Sequence, residues 1–123
     1  MFSLRSPMAI AVALTLGFSC AALAKEFPVG AIAIDSTKPD TAPAYGIGGG
    51  DTEAEAGENA VKFCVEAGGK GCKVVVSYPA CGAYAGSKVG GGWGLNTTKK
   101  TAEAQAMSGC DHDTCKIVVS DCN

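Results

Sequence analysis

Hydrophobic and polar positions along this chain form a pattern that occurs twice. Cys72-Lys73-Val74-Val75-Val76-Ser77 returns as Cys115-Lys116-Ile117-Val118-Val119-Ser120. Short β-branched runs of this kind predict strands. Upstream, Val29-Gly30-Ala31-Ile32-Ala33-Ile34-Asp35 alternates small and larger apolar residues and predicts a first strand. Cys81-Gly82-Ala83-Tyr84-Ala85-Gly86-Ser87 matches it, with Gly30-Ala31 on Gly82-Ala83 and Ala33 on Ala85. A turn follows each: residues 36–44 with Pro39 and Pro43 in the first copy, only Lys88-Val89-Gly90 in the second.

The next strands are glycine-rich, Tyr45-Gly46-Ile47-Gly48-Gly49-Gly50 against Gly91-Gly92-Trp93-Gly94-Leu95-Asn96. Glycine repeated inside a strand points to close backbone approach or strong twist. A helix then begins at the capping box Thr52-Glu53-Ala54-Glu55 and places Ala56, Ala60, Val61 and Cys64 on one face. A constant offset of 46 residues sets Ala102, Ala106, Met107 and Cys110 opposite them, without a gap from Tyr45/Gly91 to Cys64/Cys110. The prediction is one duplicated α+β domain, each copy strand, strand, helix, strand, with two helices packed over a mainly antiparallel sheet. Copy one covers about 29–78 and copy two about 81–122. Alternation along Gly92-Trp93-Gly94 would bury Trp93 in the core.

The first residues belong to something else. One charge at Arg5, an apolar run from Met8 to Phe18 and then Ala22-Leu23-Ala24 make a secretory signal, residues 1–24, cut after Ala24. The run is too short to span a bilayer in the mature chain. Cys20 raises a lipoprotein anchor as an alternative, but Gly17 stands where such a signal wants leucine. The chain is therefore expected to be exported, to the periplasm or the outside of the cell.

Removing the leader changes the cysteine count from seven to six and removes Arg5, the only arginine. Nine lysines against twelve acids then leave a formal charge of −3. Without a guanidinium, bidentate phosphate recognition is lost and nucleic acid is not expected as a partner. Six cysteines in a short exported chain make a disulfide framework. Local pairing would join Cys64 to Cys72 and Cys110 to Cys115, leaving Cys81 for Cys122; a symmetric alternative crosses the copies, Cys64 to Cys110 and Cys72 to Cys115. No Cys-x-x-Cys spacing occurs, so structural staples are expected rather than redox chemistry.

The order Gly-Ala-x-Ala, a Tyr/Trp-Gly strand, an Ala-rich helix ending in cysteine and then Cys-Lys-Val-Val-Val resembles the family catalogued as domain of unknown function 4189. The resemblance covers nearly all of the mature chain. It implies a small exported bacterial protein of this fold and no particular activity. The chain departs from it in its long first turn and in lacking the arginines many relatives carry in their helices.

Candidate chemistry is sparse. Gly46 to Asp51 precedes a capped helix as phosphate loops do, but lacks their Lys-Ser/Thr ending and the last glycine of a dinucleotide fingerprint. His112 lies between Asp111 and Asp113, short of a zinc set and without a nucleophile elbow nearby. Glu53, Glu55 and Glu58 read as a solvated helix face rather than a glycosidase pair. No catalytic set, cofactor or metal is expected. Candidate partner-binding residues are Lys99 and Lys100, which oppose the dipole at the start of the second helix, and the aromatics Trp93 and Tyr84. The expected function is a small binding module for a protein or envelope component, of the inhibitor or immunity type. Alternatives are a small hydrolase using His112 and an envelope protein that self-associates.

Overall fold

The computed structural model describes residues 27–123, so the expected leader, with Arg5 and Cys20, lies outside the described residues. Eight elements follow in order: β1 (Val29–Asp35), β2 (Tyr45–Gly50), α1 (Glu53–Glu66), β3 (Cys72–Tyr78), β4 (Cys81–Gly86), β5 (Gly91–Asn96), α2 (Lys99–Cys110) and β6 (Lys116–Cys122). The unit strand, strand, helix, strand thus occurs twice.

The strands do not form one sheet. They make two three-stranded antiparallel sheets, β2-β1-β3 and β5-β4-β6, each with its copy's first strand in the middle. The chain passes from one to the other at Pro79-Ala80, where proline has no N–H to continue a ladder. Even the irregularity is duplicated. Register shifts occur between Ile32 and Ala33 in the first sheet and between Tyr84 and Ala85 in the second.

Alternation along the central strands divides the core into three layers. Ala31 and Ala33 pack under α1 with Ala56, Ala60 and Cys64. Ala83 and Ala85 pack under α2 with Ala102 and Ala106. The opposite faces meet between the sheets, where Ile32, Ile34, Val76, Tyr78 and Val119 are buried and Tyr84 and Ile47 pack against them. Each sheet therefore has its own helix outside and the other sheet inside.

The glycine-rich strands explain why alanines suffice beneath the helices. A Cβ at Gly48 would lie 2.2 Å from the Ala60 nitrogen and 2.4 Å from the Ala56 carbonyl oxygen; at Gly94 it would lie 2.2 Å from the Ala102 carbonyl oxygen. Helix backbone rests directly on strand backbone, an approach that only glycine permits. Polar side chains reinforce it at equivalent places. Asn59 donates to the Gly49 carbonyl at 2.8 Å, and Gln105 accepts from the Leu95 N–H at 3.1 Å.

Both helices start at a threonine cap. Thr52 accepts from the Glu55 N–H and Thr98 from the Thr101 N–H, each at 3.2 Å. Met107, expected on the buried face of α2, is 39% exposed. Disulfides Cys64–Cys72 and Cys110–Cys115 tie each helix end to the following strand, and Cys81–Cys122 joins directly opposed residues of β4 and β6. Pairing is thus within the copies. Three disulfides in so short a chain fit an oxidising compartment. No helix among the described residues is long and apolar enough to cross a membrane.

Candidate functional site

Glycine spacing, which brings the helices close, also decides which side chains reach solvent. Gly92 and Gly94 of β5 face α2, so Trp93 and Leu95 project from the other face of the sheet. The first sheet does not cover them there. Trp93 is 54% exposed, which corrects the expectation that it is buried. Beside it runs β3, the border strand of the first sheet, with Val74 41% exposed.

Trp93, Leu95 and Val74 to Ser77 line an open groove of about 330 Å³, with Glu53 from the start of α1. It runs into a second groove of about 680 Å³ between α1 and β3, whose lining adds Gly57, Glu58 and Val61. The result is a continuous strip of exposed apolar side chains edged by carboxylates. Aromatic and aliphatic groups in such a setting suit recognition of another chain.

The other candidate residues do not line this strip. Tyr84 is directly opposite Trp93 in register, yet half-buried in a cleft with Asp35, Pro39, Asp40 and Pro43 of the long first turn. Burial pushes its phenol above the ordinary range. Lys99 and Lys100 form the exposed first turn of α2 and line neither groove. The expected four therefore do not converge, and only Trp93 belongs to the strip.

Two further polar centres hold the fold together. Asp35 Oδ1 accepts from the hydroxyl and N–H of Thr37 and from the Gly71 N–H, while Oδ2 accepts from the Lys70 N–H. The Thr37 hydroxyl, then the Thr37 and Lys70 amides, hold its carboxyl at about 2, burial working against them. A cavity of about 430 Å³ opens beside it, but a carboxylate engaged by four donors is a joint between two loops. Ser87 does the same for the short turn of copy two, accepting from the Val89 and Gly90 N–H groups.

At the seam between the copies, the Tyr78 ring is wedged between Gly30 and Gly82, where added Cβ atoms would come within 2.4 Å and 2.2 Å of it. Its hydroxyl donates to Asp121 Oδ2 at 2.7 Å. Burial, then the Asp121 hydrogen bond and charge, raise the Tyr78 phenol far out of its ordinary range. It is a buried pivot with no room for a substrate.

His112 serves its own loop: Nδ1 accepts from the Thr114 N–H at 3.2 Å and contacts the Thr114 hydroxyl at 2.9 Å. Among the described residues, no three His, Cys, Asp or Glu side chains gather as metal ligands.

A family model described as Domain of unknown function (DUF4189) matches residues 29–122, a stretch containing every strand and both helices. The chain belongs to the DUF4189 family. No curated protein and no solved structure matches it. Membership in DUF4189 assigns no reaction.

From the sequence, Val74 and Ser77 read only as part of a repeated strand, and Gly57 is not singled out. A signal for the glycine exists. The 46-residue offset sets Gly57 against Glu103, a glycine inside a helix where the other copy has a long acid.

Proposed function

We propose that this protein is an exported, disulfide-stabilised binding module, acting in the periplasm or outside the cell as an inhibitor or immunity-type protein does. Its partner is a protein or envelope component. The observation that carries this reading is the outward-facing Trp93, which lies with Leu95 and Val74 along an open groove. In a domain whose helices rest on alanine and glycine, the largest side chain stands more than half exposed. Rigid aromatic groups with little entropy to lose are the residues around which interfaces concentrate their energy.

The test is capture of partners from periplasmic and culture-supernatant fractions on immobilised oxidised protein, residues 25–123, with Trp93→Ala in parallel. One stoichiometric partner, retained by the wild type and lost by a variant with an unchanged melting temperature, is the expected result. No partner from either fraction, or equal capture by Trp93→Ala, would overturn the reading.

A further inference from the structure

The third strand of each copy carries a serine at the same place, Ser77 in β3 and Ser120 in β6. In copy two, Glu103 reaches down from α2 and the Ser120 hydroxyl donates to its Oε1 at 2.6 Å, closing the space between helix and strand. In copy one the corresponding helix residue is Gly57. It has no side chain to make that bridge. The space stands open as the groove of about 680 Å³, with Gly57, Val61 and Val74 as its apolar wall, Ser77 within it and the Glu53 and Glu58 carboxylates at its rim.

We propose that this groove between α1 and β3 receives a lysine or arginine side chain from an extended segment of a partner protein. The proposal rests on the binding-module reading and names the chemistry that the module recognises. An aliphatic stem matches Val61 and Val74, and a cationic head matches Glu53 and Glu58. Ser77 supplies an acceptor oxygen where its counterpart Ser120 donates to a carboxylate.

The backbone suits the same occupant. β3 pairs with β1 on one side only, so its other edge offers N–H and C=O groups to an extended chain. The adjoining Trp93 and Leu95 extend the apolar footing for neighbouring side chains. Charge decides the sign of the partner, since an acidic segment would bring like charges against two carboxylates.

The probe is the peptide acetyl-Gly-Val-Lys-Val-Lys-Val-Gly-amide, titrated into ¹⁵N-labelled oxidised protein and compared with the same peptide carrying glutamate for lysine. Saturable shifts at Gly57, Val61, Val74 and Ser77 are expected with the lysine peptide, weaker by at least about tenfold with the glutamate peptide. Gly57→Glu, which fills the groove as Glu103 fills its counterpart, should weaken lysine-peptide binding by at least about tenfold. Should that variant fail to fold, the exposed pair Glu53→Gln and Glu58→Gln must produce the same weakening.

No saturable shift at these residues, equal response to both peptides, or undiminished binding by the folded variants would overturn the proposal. So would concentration-dependent self-association abolished by Lys99→Glu with Lys100→Glu, which would give the groove to a second copy. A natural partner held equally by wild type and Gly57→Glu would sink the groove and spare the binding module. Absence of any partner for the wild type would sink the module itself.

Discussion

Replacing Gly57 by alanine should make the protein more stable, although the residue is buried in a helix against a strand. A Cβ at this position meets one atom within 4 Å, Val74 Cγ2 at 3.1 Å. Glycine to alanine inside a helix gains about 0.8–1 kcal/mol by lowering the entropy of the unfolded chain. Against that, Val74 must give way by a few tenths of an ångström. It is 41% exposed on a border strand, so it can. A strained rotamer would cost about 0.5 kcal/mol. The net gain is about 0.5 kcal/mol, a rise in Tm of roughly 2–4 °C for a domain of about 100 residues.

Gly48→Ala supplies the contrast. Its Cβ would strike the backbone of α1 at Ala56 and Ala60, and no rotamer change relieves a backbone clash. A loss of about 3 kcal/mol is expected, with Tm lower by roughly 12 °C or more. The assay is thermal unfolding of the oxidised protein, residues 25–123, followed by far-UV circular dichroism. If Gly57→Ala melts below the wild type, the glycine is needed for packing. The claim that it keeps a groove open against the helix's own preference then fails.

Three further outcomes follow from the same geometry. Asp35 titrates at about 2 in the folded chain, below its unfolded value near 3.8, so its contribution is present above pH 4 and lost as pH falls toward 2; Asp35→Asn should flatten that limb in melts taken between pH 2 and 5. Tyr78→Phe keeps the ring between Gly30 and Gly82 but loses the donor to half-buried Asp121, which water can partly replace, and denaturant melts should report about 1 kcal/mol lost. Removing the disulfides pairwise to alanine should rank by the loop closed: Cys81–Cys122, separated by 41 residues, is worth about 4 kcal/mol, against about 2.5 for Cys64–Cys72 and about 2 for Cys110–Cys115, separated by 8 and 5.

The elements were legible because the internal repeat acts as a second reading of the same fold. Thr52-Glu53-Ala54-Glu55 and the β-branched run of β3 each announce an element locally, and the 46-residue offset checks the helices against one another. Two points were not legible, and both concern which face is covered. Alternation shows that Trp93 and Leu95 share a face, but not that Gly92 and Gly94 take the helix side. Hydrophobicity favours burying tryptophan, whereas backbone approach favours burying glycine, and the backbone wins. Likewise each strand is visible, yet whether β3 pairs onward into the second copy depends on long-range contacts that local patterning does not encode. The long first turn hides Tyr84 for the same kind of reason, since Asp40 backbone comes to rest on Gly86 of the other copy.

Comparing the copies separates packing from surface. Positions that press helix on sheet remain alike: Gly46 and Gly92, Gly48 and Gly94, Ala56 and Ala102, Ala60 and Ala106. A Cβ at any of the four glycines would meet helix backbone. Positions at the seam, at the solvent or along the groove have parted: Tyr78 against Asp121, Glu53 against Lys99, Gly57 against Glu103. The first pair turned its difference into a contact, since the tyrosine now donates to the aspartate. The third did the reverse. Copy two links helix to strand through Glu103 and Ser120, while copy one carries glycine at a site where the helix itself would prefer almost any other residue. Under the proposed binding role, that glycine beside exposed Val74 and Trp93 keeps the groove open for another chain.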